Sequence, residues 1–508
     1  MNLTIRRVGV GMLVLFLGLV AQATYLQIVR ADDLKNDPNN VRVFLRDYAR
    51  PRGFILSGDR TILAQSAPTD DDLEQIRVYP PETASLFAHV VGYQAVNLGN
   101  TGVEAEYNDY LVGRDFDIAI DDLSDFFSGE DPRGNVVLSM TREAQQLAAD
   151  ALEGRRGAVV VLDVETGAIV AAYSNPTFDP NPLASHDAEA ANAYFQALNA
   201  DPTKPALARA WREIFPPGST FKVVTTGIGL QSELVPHAPS PPGPPYRLTV
   251  DDPVYPDLEE LDLPQSSSTL SNFGGNECGG TLAQSFRVSC NTTFAQIGLD
   301  LGDAFASGIE RFGVSAAPAD TDLRPGLVRS IGPEVGTFQQ NQAGFAQAAI
   351  GQGGGATTVA VTPMAMAMVA QAVANEGVMM VPHVLDRVEN NDGEVIRGTR
   401  YEPREYGRSM EASTAATVRD LMVDVVNNGT GSRARIPGIP VAGKTGTAQV
   451  EGQQAHAWFI AFAPAEAPRY AISVLVENGG DLSSGDNGTG GRVAAPIAAQ
   501  VLGGLLAA

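Results

Sequence analysis

"GAVVVLDVETGAIVAAYSNP", residues 157–176, decides the fold. Two apolar, β-branched runs flank the turn-forming "DVETG", which is the pattern of a β-hairpin. Such a hairpin opens an antiparallel sheet. Further strands are expected far along the chain, in "HAWFIAFAP" (456–464) and "RYAISVLVEN" (469–478), and "AAPIAAQVLGGLLA" (494–507) closes as a helix. Between the two sets of strands, helical patterns run near 219–231, 282–301 and 359–376. Strands at both ends with helices between describe an α+β domain, assigned here to residues 146–508. A Pro-rich stretch, "VPHAPSPPGPPYRLTVDDPVYPD" (235–257), is expected to run over its surface.

Upstream, residues 31–145 alternate short apolar runs with turn signals, as in "RGFILSGDRTILAQS", "LFAHVVGYQ" and "GVEAEYNDYLVG". They read as a small mixed α/β module with few candidate catalytic groups. An acidic segment, "DDLSDFFSGEDPRG" (121–134), leads out of it towards the helix-like "TREAQQLAADALEG" (141–154). Residues 1–30 are different. "VGVGMLVLFLGLVAQATYLQIV" (8–29) carries no charge, and roughly 20 such residues cross a bilayer as a helix. Arg6 and Arg7 precede it, so the expected orientation leaves the N-terminus in the cytoplasm and the bulk of the chain outside. A retained anchor is the reading adopted; a cleaved signal peptide is the alternative, since Ala21 and Ala23 resemble a cleavage site.

The chain of 508 residues has a formal net charge of −24, which argues against nucleic acid as its main partner. Its two cysteines, Cys278 and Cys290, lie close enough in sequence to bridge outside the cytoplasm. Two free, buried thiols also fit. Without nearby histidines the pair makes a poor metal site.

Only four lysines stand against 31 arginines: Lys35, Lys204, Lys222 and Lys444. Arginine supplies charge at least as well, so a lysine retained in such a chain suggests a need that arginine cannot meet, an amine able to lose its proton. Lys222 ends "PPGSTFK" (216–222), where Pro216, Pro217 and Gly218 set a helix boundary. Ser219 and Lys222 are then three apart on one helix face. A serine hydroxyl becomes a nucleophile once a base takes its proton, and burial or a second cation brings a lysine towards that role. Lys35 and Lys204 read as structural or solvated.

Lys444 lies in "PGIPVAGKTGTAQV" (437–450). "GIPVAGKT" (438–445) satisfies the phosphate-loop pattern G-x-x-x-x-G-K-T. That mechanism needs a helix to start at once, yet Gly446 follows and the stretch reads as two strands with a turn. The alternative places Lys444, Thr445, Gly446 and Thr447 on a strand edge, where Gly446 admits a substrate backbone and the Thr447 amide helps to bind an oxyanion. A third element is "SFRVSCNTTF", in which Ser289 and Asn291 face one direction only if the helix breaks between them.

The order S-x-x-K, S-x-N, K-T-G within one domain resembles the penicillin-recognising serine transpeptidases, and within them the class B penicillin-binding proteins. "RPRGFILSGDRTILAQS", "AAIGQG" with "VTPMAMA", and "HAWFIAFAP" stand in the order of that family. The short N-terminal module makes the chain similar to the compact actinobacterial type. "GQGGGATTVAVTP" (351–363) departs from the family by its extra glycine.

The resemblance implies a β-lactamase-like domain with a central antiparallel sheet flanked by helices. It also implies that residues 31–145 form a non-catalytic module of the dimerisation or pedestal kind. Ser219 would attack a peptidoglycan stem peptide, or a β-lactam, and become acylated. Lys222 would take its proton and Ser289 would relay it, while Asn291 would hold Lys222. Lys444 and Thr445 would bind the substrate carboxylate, with the amides of Ser219 and Thr447 forming an oxyanion hole. No cofactor or metal enters this chemistry. The implied setting is the bacterial cell membrane, single-pass, with a membrane-embedded glycan polymerase and other cell-wall synthesis proteins as partners. A D,D-carboxypeptidase, a serine β-lactamase and a non-catalytic cell-wall scaffold are the competing readings.

Overall fold

A five-stranded sheet buried on both faces carries the core that positions the candidate site. The computed structural model describes residues 3–30, 48, 50–113, 133–232, 245–450, 452–479 and 488–507. Most of the acidic 121–134 segment and the first part of the Pro-rich stretch lie outside the described residues, as does Lys35. The chain divides into two compact units, residues 1–52 with 66–76, and residues 53–65 with 77–508. In the first, helix α1 (Leu3–Thr24) is a 22-residue apolar element about 33 Å long, enough to span a membrane by length and composition.

In the second unit, strands β1 (Ile55–Leu56) and β2 (Asn135–Leu138) pair in parallel, Ile55 opposite Val136. Helix α2 (Arg142–Leu152) follows, capped by Thr141, whose hydroxyl accepts from the Ala144 amide at 3.1 Å. The expected hairpin is β3 (Gly157–Asp163) and β4 (Ile169–Asn175).

The helical middle holds α3 (Lys222–Gln231), α4 (Leu282–Val288), α5 (Asn291–Leu301) and α6 (Pro363–Ala374). Pro363 sits at the first turn of α6, where its missing N–H costs nothing, and the Thr362 hydroxyl caps the Ala365 amide at 3.0 Å. Strand β5 (Leu385–Glu389) then returns to pair antiparallel with β2, so that sheet draws strands from segments about 250 residues apart in sequence. Helix α7 (Ala412–Asn428) precedes β6 (Ala442–Ala448), β7 (His456–Ala463) and β8 (Tyr470–Val476), and helix α8 (Ala494–Ala507) ends the described chain.

The central sheet has the order β6-β7-β8-β3-β4, antiparallel throughout. Every residue of β7 and β8 is buried, because helices cover both faces. Trp458, Ile460 and Phe462 join the core of α3, α5 and α6, while Ala457, Phe459 and Ala461 face the core of α2 and α8. Helix α8 supplies its apolar stripe from Ala494, Ile497, Ala498, Val501, Leu502 and Leu505. A one-residue slip of β7 would exchange these two sets, so the register is strongly fixed.

Candidate active site

The serine expected to act sits on a 3-10 turn, Gly218–Phe221, that runs directly into α3 at Lys222. Gly218 has φ of 55°, the left-handed region that favours glycine, and its amide donates to the Gly351 carbonyl at 2.9 Å. A Cβ there would meet the Thr447 carbonyl oxygen at 2.7 Å, so the turn lies flat against β6. The indole of Trp458 on β7 donates to the Pro216 carbonyl at 3.0 Å, and the Thr220 hydroxyl to that of Pro217 at 2.8 Å. Ser219 is thereby held half-buried at the edge of the sheet.

Lys222 is fully buried, and so is Lys444 on β6. The Lys222 ammonium donates to Asn291 Oδ1 at 2.8 Å, the Ser289 carbonyl at 2.7 Å and Ser289 Oγ at 3.3 Å. Lys444 donates to the same Ser289 hydroxyl at 2.8 Å and to the Thr445 carbonyl at 3.1 Å. One hydroxyl therefore touches both amines. Among the described residues neither lysine has an ion-pair partner; instead each lies over an aromatic face, Phe294 for Lys222 and Phe286 for Lys444. Burial holds the Lys222 amine well below the ordinary lysine value, and the Lys444 charge pushes it further down. Burial lowers Lys444 to about 7. A neutral amine beside a protonated one is the state these surroundings favour.

The helix expected over 282–301 breaks where the site needs it to. Ser289 takes a left-handed φ of 63°, ending α4, and Asn291 starts α5. That kink turns both Ser289 and Asn291 towards Lys222. Cys278 and Cys290 form a disulfide, their Cα atoms 5.8 Å apart, which ties the turn to the strand Cys278–Gly280. Of the two readings left open by the sequence, the bridge is the one observed.

Thr445 and Thr447 lie beside Lys444 on β6. Lys444 and Thr445 stand within a strand that continues through Gly446 to Ala448, so the phosphate-loop reading fails: no helix begins there. Gly446 also has a reason within the chain itself. A Cβ on it would meet the Pro217 carbonyl oxygen at 2.7 Å and Thr220 Cγ2 at 2.9 Å, so it admits the chain's own serine-bearing turn. Two residues escaped the sequence reading. The Thr430 hydroxyl lies 2.7 Å from that of Thr445, and Asn272 Oδ1 accepts from the Asn291 amide at 2.8 Å. Both arrive from distant segments with no local pattern to announce them.

The penicillin binding protein transpeptidase domain matches residues 157–503, and a penicillin binding protein A dimerisation domain matches residues 52–137. The chain belongs to the penicillin-binding transpeptidases. It is 38% identical to the peptidoglycan D,D-transpeptidase PbpA of Mycolicibacterium smegmatis, covering 98% of this chain and 97% of that one. The PbpA of Mycobacterium tuberculosis is 37% identical over 99% and 98% of the two chains. Penicillin-binding protein A from M. tuberculosis, solved as a ceftriaxone acyl-enzyme, superposes with a TM-score of 0.80 at 35% identity, covering 91% of this chain and all 100% of that one. A D,D-transpeptidase domain from Eggerthella lenta gives 0.75 at 33% identity, covering 90% of this chain and 99% of that one. The expected fold, a helix-flanked antiparallel sheet in a penicillin-binding transpeptidase, is the one found.

Proposed function

We propose that Ser219 is the nucleophile of a peptidoglycan D,D-transpeptidase and that the two buried lysines set its reactivity. The observation that carries this reading is the Ser289 hydroxyl held between the Lys222 and Lys444 amines, with Ser219 three residues before Lys222 on the turn that opens α3. Neutral Lys222 takes the Ser219 proton as Oγ attacks the penultimate D-alanine carbonyl of a stem peptide. The oxyanion is received by the amides of Ser219 and Thr447, donors of a kind whose loss costs about 10²–10³ in rate. As the amide bond breaks, Ser289 passes the proton to the departing D-alanine amine, and an ester to Ser219 remains. An amine from a second stem peptide then attacks that ester, forms the cross-link and restores the serine. Lys444 and Thr445 bind the donor carboxylate, with Thr430 bonded behind Thr445. Asn291 holds Lys222 in position. A β-lactam enters the same path and stops at the ester.

The apolar α1 anchors the chain in the bacterial cell membrane, and the preceding Arg6 and Arg7 favour an extracytoplasmic catalytic domain. The non-catalytic module before residue 146 is suited to protein partners in cell-wall synthesis, among them a membrane-embedded glycan polymerase.

Labelling with a fluorescent penicillin tests the nucleophile. The parent protein is expected to take up one stable label and Ser219→Ala none. A label retained by Ser219→Ala would overturn the assignment.

A further inference from the structure

The first residue of α5, Asn291, must present its side chain to Lys222, yet the position before it is poorly equipped to start a helix. Cys290 occupies the cap site, and no side chain of that residue caps the helix, because its sulfur is committed to Cys278. The free amides at the start of α5 need an acceptor from elsewhere. Asn272 supplies it. Its Oδ1 accepts from the Asn291 amide at 2.8 Å and from the Thr292 amide at 3.0 Å. Its Nδ2 donates to the Leu258 carbonyl at 2.6 Å and reaches the Thr292 hydroxyl at 3.4 Å. With its backbone amide bonded to the Glu259 carbonyl at 3.0 Å, the residue is fixed at both ends. It is 6% exposed. Two amide donors on one side and a carbonyl acceptor on the other leave the carboxamide a single orientation that satisfies both.

The neighbouring contact acts in the same direction. Asn291 Nδ2 donates to the Ser271 carbonyl at 3.1 Å, which leaves Asn291 Oδ1 free to face the Lys222 ammonium. Residues 271 and 272 thus grip Asn291 by side chain and backbone together. This grip also reaches Ser289, which shares the turn.

We infer that Asn272 is a positioning residue for the acylation step: it caps α5 from outside and fixes where Asn291 holds Lys222. The inference rests on the reading of Lys222 as the base for Ser219. Loss of the cap lets the 289–291 turn relax, and small misplacements of catalytic groups carry rate penalties of about 10²-fold. The effect belongs to the covalent step, since the Asn272 carboxamide is taken up by the Asn291 and Thr292 amides and the Leu258 carbonyl.

Stopped-flow acylation by a fluorescent penicillin, run to saturation, separates the covalent rate constant from the affinity of the first encounter complex. Asn272→Ala is expected to lower the rate constant by about 10²-fold with the encounter affinity within threefold of the parent. Asn272→Asp keeps an acceptor for both amides but turns its second oxygen on the Leu258 carbonyl, so it is expected to recover only part of the rate, acylating about threefold or more faster than the alanine variant. An Asn272→Ala protein that acylates within twofold of the parent overturns the inference. Should Asn272→Ala not fold, Asn272→Gln decides instead, because it carries the same groups one methylene further. A similar fall in its covalent rate supports the role, and a parental rate removes it. Ser219→Ala in the same series keeps the two readings apart. A dark Ser219→Ala with a fast Asn272→Ala removes only the positioning role.

Discussion

Two places in the large unit that bury a cation do so in opposite ways. Around Arg209, the guanidinium meets the Glu477 carboxylate at 2.7 Å and the Lys204 carbonyl at 3.0 Å, while Arg156 meets the other oxygen of Glu477 at 2.8 Å. A carboxylate faces each guanidinium there, and all three nitrogens of Arg209 are used. Around Lys222 the second charge has the same sign, and Ser289 stands between the two amines. No carboxylate relieves them among the described residues. The first arrangement is a structural clamp of paired opposite charges. In the second, a proton is held so loosely that it can be given up, and only lysine offers one on these terms. This is why a chain with 31 arginines keeps lysine at two buried positions.

The sharpest way to break this contrast is Lys222→Arg, which is charged at every working pH and cannot supply a base. Acylation by a fluorescent penicillin should fall by about 10³-fold or more, within the range a general base contributes, with the folded state intact. A variant that acylates at a tenth of the parental rate would show that charge alone suffices. Next in size is the other cluster. Glu477→Leu leaves Arg209 and Arg156 facing a hydrocarbon, and breaking such a pair costs about 3–5 kcal/mol. The urea midpoint should drop accordingly, and an unchanged midpoint would show that the clamp contributes nothing.

The pH dependence of acylation separates the two amines more finely. Lys222 is held below the ordinary lysine value by burial first and by Lys444 second, and its neutral form is the reactive one. The rate therefore rises with pH as Lys222 loses its proton. Removing the neighbouring charge in Lys444→Met raises the Lys222 value, so the acid limb of the profile should move to higher pH. A limb that stays put or moves down would show that Lys444 does not act on Lys222 through charge. The smallest effect is reserved for Lys204→Arg. Lys204 is 60% exposed and lies 3.8 Å from Glu213, so both stability and acylation should remain at parental values, within about 0.5 kcal/mol.

Much of this contrast could be read before any coordinates. The scarcity of lysine singled out Lys222 and Lys444, and proline with glycine before Ser219 marked the start of its helix. The apolar runs at 456–464 and 469–478 marked β7 and β8 as strands. What escaped reading depends on contacts between distant segments. Nothing in "LSNFGG" signals that Asn272 will cap a helix beginning at residue 291, because the need for that cap arises from Cys290 and its bridge. The packing role of Gly446 was hidden for the same cause. The approach it permits comes from Pro217 and Thr220, more than 220 positions earlier in the chain. The membership of β5 in the sheet of β1 and β2 was equally hidden, since short apolar strands do not name their partners.

That last strand constrains how the protein can be divided. Asn135 pairs with Glu389 and Val136 with Val388, and the Asn135 side chain donates to the Asn390 carbonyl at 3.1 Å. A fragment ending near residue 145 would expose the flank of β2 that β5 covers, an open edge prone to self-association. Biosynthesis faces the same gap: the ribosome must add some 250 residues before that edge finds its mate, so the early portion of the polypeptide waits, unfinished, for a late one.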